Sequence, residues 1–447
     1  MNKITIPRGA KAIVQGLRYE HHDAYVVGGC VRDSLLGVEP KDWDICTSAT
    51  PEEMKEYFNR ISVKTIDTGL KHGTITVDME QCGKFEVTTF RIDGNYSDNR
   101  RPDSVQFVDS IVQDLSRRDF TINAMAFNPG GLVDPFHGRD DLENGIIRCV
   151  GNPDDRFKED ALRILRAMRF SSTYGFTIDE ATSQSIHKNK ELLLNIAAER
   201  IQAELCRMLC GKGILNVLLE YSDVIATIIP EMEACIGFDQ NNRFHEYTVY
   251  DHIAHAVANY TGIDTVVNVS LLLHDIGKPC CYTVDEKGGH FYGHGVSSHD
   301  ITEKVLTKLW FDNKTKSDIL ELVLYHDAVI EPTPKTVRRW LNKIGERQFS
   351  RLLDIRMADI LAHKKGTQES RIERCNALRT LANEIIEQEQ CFKIKDLMID
   401  GHDVMEILGV PEGKEVGLVL SEILKLVIDE ELKNDRAVLI DYMKTRC

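Results

Sequence analysis

The chain has 447 residues and a mass of 50.7 kDa, with 55 Lys and Arg against 70 Asp and Glu for a net charge of −15, a length that predicts roughly three domains. That acidity excludes a protein that coats nucleic acid or an anionic membrane by bulk charge, while leaving room for a local basic groove. No apolar run reaches the ~20 residues of a membrane span, the opening MNKITIPRGAKAIV lacks a signal-peptide core, and twelve cysteines without a C-x-x-C pair read as reduced thiols of a cytosolic protein.

Taken in chain order, AYVV at 24–27 predicts a short strand, then Gly28-Gly29, then a helix over CVRDSLLG. GTITVDM (73–79) and KFEVTTF (84–90) predict two further strands joined through Gly83 as a hairpin. The polar segment 91–106, with Gly, Asn, Asp, Pro and three Arg, predicts a loop. Past residue 155 apolar residues recur at helical spacing, as in ALRILRAMRF, AERIQAELCRML, DHIAHAVANY and VGLVLSEILKLVI. VIEPTPKT (329–336) is a natural break. The expected class is α+β: an α/β head over 1–150, a helical neck over 151–235, a third domain over 236–365 and a helical tail over 366–447.

Asp42-Trp43-Asp44-Ile45 follows the first helix. As a strand it would put Asp42 and Asp44 on one face, with Trp43 and Ile45 inward. Paired carboxylates raise each other's pKa unless a cation lies between them, and Mg²⁺ held by one or two carboxylates and substrate phosphates is a phosphoryl-transfer arrangement. Glu86 on the 84–90 strand could complete the set; a solvated strand edge is the other reading. Gly28-Gly29, between strand and helix, would let backbone N–H groups approach phosphates, with Arg32 one turn further in. Neither a P-loop nor a dinucleotide-binding glycine motif is present.

GGCVRDSLLG with DWDI resembles the first motif of class II tRNA nucleotidyltransferases, which have a polymerase-β-like head. KHGTITV, FEVTTFR, RRDFTINAMAF, LVDPFHGRDDLENGIIR, RFKEDALRILRAMRF and AERIQAELCRML follow in the order expected of that family, so the resemblance spans roughly residues 20–210. It implies Mg²⁺ on Asp42 and Asp44 with Glu86 as a third carboxylate, and the nucleotide triphosphate on Gly29, Arg32 and Arg118. Arg117 either shares that work or pairs structurally with Asp119.

RFKEDALRILRAMRF (156–170) buries Ala161, Leu162, Leu165 and Met168 as a helix and presents Asp160, Arg163, Arg166 and Arg169 at intervals of three. Residues 156–169 carry five basic side chains against two acidic ones. An ordinary salt-bridged helix would look the same. A carboxylate accepts hydrogen bonds and a guanidinium donates them. Cytosine and adenine each place an amino donor beside a ring-nitrogen acceptor, so Asp160 with Arg163 could accept C and A and reject G and U. The resemblance implies this role for CTP and ATP, with Arg166 and Arg169 also lining the nucleotide site. The 91–106 loop matches the flexible loop that CCA-adding members use in switching from C to A.

Eight of fifteen histidines fall between 245 and 326. His252, His274, Asp275 and Asp359 resemble the H…HD…D pattern of HD phosphohydrolases, suited to a divalent transition metal or to Mg²⁺ or Mn²⁺. His294 and His326 would bind a second metal or the phosphate. His255, His290 and His299 read as non-ligands, and His245 is undecided. The HD pattern implies a phosphatase or 2′,3′-cyclic phosphodiesterase, or a purely structural remnant of one. The segment 394–428 resembles the tRNA-gripping tail of Gram-positive-type CCA-adding enzymes. The expected activity is CCA addition to tRNA from CTP and ATP, with no membrane partner. A poly(A) polymerase, a CC- or A-adding enzyme, a phosphohydrolase with an idle head and a non-catalytic RNA binder are the alternatives.

Overall fold

Ile13, Val14 and Leu17 share one face of an amphipathic helix, α1 (Arg8–Tyr19), and are fully buried. The structure, a computed structural model, describes residues 4–94, 104–242, 246–286, 288–388 and 392–445. It divides into two compact units, 1–233 and 234–447.

In the first unit α1 leads into β1 (Ala24–Val27), α2 (Gly29–Leu36), β2 (Ile45–Thr47), α3 (Pro51–Arg60), β3 (Lys64–Gly69), β4 (Thr74–Asp78) and β5 (Lys84–Thr89). The expected hairpin is present, with Asp78 opposite Lys84. Asp42 and Asp44 are not in a strand, however. The ladder begins at Ile45, which pairs with Val26 on one side and Val87 on the other, and the two aspartates lie in the irregular segment that feeds it. Three successive buried residues, Ile45 to Thr47, mark a central strand, whereas two exposed carboxylates have no place in one.

The predicted loop also has structured ends. β6 (Arg91–Asp93) and β7 (Val105–Phe107) pair antiparallel, Arg91 opposite Phe107; the stretch between, 95–103, lies outside the described residues. After α4 (Ile111–Ser116), β8 (Ala126–Asn128) and β9 (Gly131–Val133) complete a seven-stranded sheet of order β3-β4-β5-β2-β1-β8-β9, parallel only between β2 and β5. Next come α5 (Gly138–Asn144), β10 (Ile146–Ile147), α6 (Pro153–Glu159), α7 (Leu162–Tyr174), β11 (Thr177–Ile178, parallel to β10), α8 (Glu180–Asn189), α9 (Ala198–Leu209), α10 (Ile214–Glu220) and α11 (Ser222–Ile228).

The expected single helix over 156–170 is two. Asp160 is extended (φ −135°, ψ 101°) and its Oδ1 accepts the Leu162 N–H at 3.1 Å, satisfying a donor at the start of α7. Aspartate competes with the helix backbone in this way, and the apolar periodicity runs through the break undisturbed. Ala161, Leu162, Leu165 and Met168 are buried as expected.

The second unit is mainly helical: α12 (Val249–Asn259), α13 (Thr265–Leu273), the small β12 (Thr283–Asp285) and β13 (Gly288–His290) pair, α14 (His294–Lys308), α15 (Asn313–Tyr325), α16 (Pro334–Leu361), α17 (Glu369–Glu387), α18 (Gly401–Leu408), α19 (Lys414–Ile428) and α20 (Arg436–Lys444). The break at 329–336 separates α15 from α16, which kinks at Gly345 (φ +81°). Val404, Leu420, Ile423, Leu439 and Met443 form the core of the last three helices. Among the described residues no helix is long and apolar enough to cross a membrane.

Candidate functional site

Asp42, Asp44 and Glu86 line one open cleft of about 690 Å³ together with Lys41, Trp43, Thr76 and Lys84. Glu86 reaches it from β5, opposite Thr76 of β4. Desolvation in the cleft pushes the Asp44 carboxyl above its ordinary range, Arg118 pulls it back, and the charges of Glu86 and Asp42 raise it further. An Asp44 carboxyl raised by burial and by two neighbouring carboxylates, all facing an open cleft, fits a hard divalent cation, whose preferred ligands are such oxygens.

Gly28 turns the chain from β1 into α2 with φ +78°, and its N–H bonds to Met125 O at 3.0 Å. A Cβ there would lie 2.9 Å from Arg118 Nη1, so the glycine makes room for that guanidinium at the start of α2. Arg118 also pairs with the buried Asp114 at 3.3 Å. Arg32 is 8% exposed. It donates to Asn123 Oδ1 at 2.5 Å and to Asp33 at 2.9 Å, and lies over the rings of Phe170 and Tyr174. It therefore ties α2 to α7 as well as standing beside Gly29.

Asp119 is not the partner of Arg117. Arg117 pairs with Asp114 at 2.8 Å, while Asp119 takes Arg166 Nε at 2.9 Å and Asn123 Nδ2 at 3.1 Å. Although burial alone would raise it, these partners hold the Asp119 carboxyl well below the usual range. Asp160 pairs with Arg200 at 3.2 Å, and Arg163 donates to Glu159 Oε2 at 2.6 Å and to Arg117 O at 2.9 Å. Asp160 and Arg163 are adjacent through the α6–α7 break, Arg163 N bonding to Asp160 O at 3.0 Å. Arg169 pairs with the buried Glu204 and covers the Phe170 ring at 4.0 Å. Glu159, Arg200 and Glu204 escaped the sequence reading: Glu159 lies one turn before Arg163, a helical spacing that could have signalled it, whereas Arg200 and Glu204 reach Asp160 and Arg169 from α9 and carry no local signal.

In the second unit His252 comes from α12, His274 and Asp275 from the end of α13, His294 from the start of α14, His326 from the end of α15 and Asp359 from α16. His252, His274, Asp275 and Asp359 offer ligand atoms within 4.8 Å of one another, and so do Asp275, His294 and His326. Asp275 is common to both groups. Each histidine commits Nδ1 to a backbone carbonyl: His252 to Ala362 (3.3 Å), His274 to Leu271 (2.7 Å), His294 to Phe291 (2.8 Å) and His326 to Val323 (2.7 Å). That directs Nε2 inward, the arrangement of metal-ligating imidazoles.

Nε2 of His294 and Nε2 of His326 lie 3.0 Å apart, with Asp275 Oδ1 3.4 and 3.6 Å away. Facing lone pairs at that distance repel unless a proton or cation lies between them. Among the described residues, Asp275 Oδ1 and His274 Nε2 are buried with no hydrogen-bond partner. The donor set, nitrogen with carboxylate, suits a divalent transition metal. Burial lowers His252 but is outweighed at His274, which Asp275 and Asp359 raise to about 10. Lys278, three residues after Asp275, adds a charge 2.7 Å from its Oδ2. His290 pairs with Asp285, His299 with Asp300, and His255 stacks on Tyr247; His245 lies outside the described residues.

A sequence profile for the "Poly A polymerase head domain" matches residues 24–148, one for the "probable RNA and SrmB-binding site of polymerase A" matches 175–236, and one for "tRNA nucleotidyltransferase domain 2" matches 296–443. The chain is 32% identical to the CCA-adding enzyme of Ligilactobacillus salivarius, covering 97% of this chain and 95% of that one. It is 34% identical to that of Lactobacillus helveticus, covering 97% and 96%. The crystal structure of the Bacillus stearothermophilus CCA-adding enzyme in complex with CTP superimposes with a TM-score of 0.73 at 30% identity, covering 98% of this chain and 96% of that one.

Proposed function

The chain belongs to the CCA-adding enzymes, and from that premise we propose how its own residues divide the work. It adds C, C and A to tRNA 3′ ends from CTP and ATP without a nucleic-acid template. The observation that carries the assignment is the cleft in which Asp42, Asp44 and Glu86 converge beside the Gly28 turn and Arg118. Enzymes of this family use a divalent metal, and in our reading Asp42 and Asp44 would hold Mg²⁺, with Glu86 as a third carboxylate. The ion would supply charge stabilisation for the ionising tRNA 3′-OH and the departing pyrophosphate. Gly29 N–H, Arg32 and Arg118 orient the triphosphate so that the tRNA 3′-oxygen bonds to the α-phosphorus as the bond to the β-phosphate breaks.

Asp160 and Arg163 read the base: the carboxylate accepts from the amino group of C or A, and the guanidinium donates to the ring nitrogen. Glu159 and the Arg117 carbonyl position Arg163 for this. Arg166 and Arg169 hold α7 through Asp119 and Glu204 and line the nucleotide site. The working division is head 1–150, neck 151–235, metal domain 236–365 and tRNA-binding tail 366–447. Supplying ATP alone to a tRNA that lacks CCA tests the assignment: little extension is expected, whereas long adenylate tails would identify a poly(A) polymerase.

A second reading concerns the second unit. The facing Nε2 atoms of His294 and His326 and the shared Asp275 support a metal-dependent phosphohydrolase, a phosphatase or 2′,3′-cyclic phosphodiesterase acting on RNA ends. His252, His274, Asp275 and Asp359 would hold one ion, and Asp275, His294 and His326 a second. Bound metal would lower the pKa of the attacking water. Lys278 adds positive charge for a substrate phosphate. Release of phosphate from a 2′-phosphorylated RNA end that persists in Asp42→Ala and disappears in His274→Ala would support it; loss in both would count against it.

A further inference from the structure

We propose that the histidine–aspartate centre of the second unit takes phosphate-ended RNA as its substrate, and that an arginine-lined annex beside it holds the preceding internucleotide phosphate. This rests on the phosphohydrolase reading of that centre and adds to it a second phosphate position. The main cavity at the centre, about 350 Å³, is lined by Asp275, Lys278, His294, His326, Asp359 and Arg371 among others. A smaller one, about 170 Å³, shares His326, Asp327, Asp359 and Arg371 with it, so the two cavities adjoin across two of the ligand residues, His326 and Asp359.

The annex brings together three guanidinium groups, from Arg356 on α16 and from Arg371 and Arg374 one turn apart on α17. Arg356 Nη1 is buried and has no hydrogen-bond partner among the described residues. Arg371 Nη2 stands 3.6 Å from Asp359 Oδ2. Arg374 donates Nε to Ile330 O at 3.0 Å and pairs with Glu331 at 2.5 Å. A buried donor left without an acceptor is costly, and arginine forks match phosphate oxygens in both charge and geometry. The structure thus offers two anion positions side by side, one at the metal ligands and Lys278, the other at the arginines.

A mononucleotide monoester has a single phosphate and would leave the annex empty. An RNA end with a terminal 2′- or 3′-phosphate carries a phosphodiester one nucleotide before it, which supplies the second anion. The reaction needs only water: its oxygen bonds to the terminal phosphorus, the bond from phosphorus to the ribose oxygen breaks, and that oxygen takes a proton as phosphate leaves.

The test uses the full chain supplied with Mn²⁺ and measures phosphate release from 2′-AMP, adenosine 2′,5′-bisphosphate and a trinucleotide bearing a 2′-phosphate. The trinucleotide should show a kcat/KM about tenfold above 2′-AMP, a return of the size of one charge-assisted contact. Arg356→Gln should lower the ratio of trinucleotide to mononucleotide use about fivefold or more through KM, Arg356→Lys should restore part of it, and Arg374→Gln, on a side chain 39% exposed, should act in the same direction. Trinucleotide binding to the metal-free protein, read by fluorescence polarisation, should weaken in parallel. CCA addition should be unchanged in all three variants, which shows that they fold. Equal use of all three substrates or an unaltered ratio in the variants would overturn the annex while leaving the phosphohydrolase standing, and a preference for the bisphosphate over the trinucleotide would overturn the internucleotide phosphate as its occupant. Phosphate release from none of them would overturn the phosphohydrolase reading and the annex with it.

Discussion

Replacing Asp119 tests whether a buried ion pair fixes α7, the helix that carries Arg163 and begins just after Asp160. The carboxylate is 8% exposed and accepts from Arg166 at Nε (2.9 Å) and Nη2 (2.5 Å), from Asn123 (3.1 Å) and from the Phe120 N–H (2.8 Å). Breaking a fully buried pair costs about 3–5 kcal/mol, because a charge is left without its partner. Here the Arg166 side chain is 34% exposed and water would rescue part of that charge, so Asp119→Ala should cost ~2–3 kcal/mol. For a unit of this size each kcal/mol moves the midpoint by about 2–4 °C, giving a fall of ~5–10 °C in thermal unfolding followed by circular dichroism. Asp119→Asn keeps the polar contacts but not the charge and should lose most of the same amount. The Asp119 pKa is depressed in the folded state, so its contribution is present above the ordinary aspartate pKa and fades as pH falls through the depressed value. Wild type and Asp119→Asn should therefore converge in strongly acid buffer. An Asp119→Ala midpoint within about 1 °C of wild type, or a gap from Asp119→Asn that widens in acid, would refute the reasoning.

Asp44→Ala or Asp42→Ala should abolish nucleotide incorporation by at least about a thousandfold while tRNA binding in a filter assay stays near wild type; incorporation within about tenfold of wild type would remove the metal assignment. Asp160→Ala and Arg163→Ala should relax the choice of base, by ~1–3 kcal/mol for a lost bidentate contact, more than they slow transfer of CMP. Glu159→Gln should act the same way more weakly, since it only positions Arg163; strict selection of C and A in all three would contradict the base-reading scheme. In the second unit, adding Mn²⁺ to metal-free protein at about a hundred times its dissociation constant should stabilise the fold by ~2.7 kcal/mol. Metal analysis should find about two ions per chain, falling to about one in His294→Asn; an unchanged melting curve and no bound metal would leave the cluster structural.

Periodicity and turn chemistry made much of the fold legible. AYVV became β1 and the hairpin through Gly83 formed as its residues predict. What periodicity could not show was where regular structure yields to a side chain. Asp160 sits inside an unbroken apolar pattern, yet its carboxylate satisfies the Leu162 N–H and ends one helix to begin another. Asp42 and Asp44 alternate as strand residues would, but their exposure belongs to the segment before the ladder. The α3 helix went unread although Thr50-Pro51-Glu52-Glu53 carries a full capping box with proline at its first position.

The site residues were visible by type rather than by partner. Arg117 beside Asp119 looked like a pair, but one faces Asp114 and the other Arg166, because neighbours in sequence need not share a face. His252, His274, Asp275 and Asp359 stood out through the adjacent His-Asp, and the fold brings them together from helices far apart in sequence. Lys278 and Arg356 carry no motif, so only the folded chain reveals them.

The most direct measurement is to incubate the purified chain with Mg²⁺, a tRNA ending at its discriminator base and all four nucleoside triphosphates at equal concentration, then sequence the product ends. The account predicts C, C and A in that order and nothing beyond, with no addition by Asp44→Ala. Untemplated tails of mixed sequence, runs of A, or the same products from Asp44→Ala would contradict it.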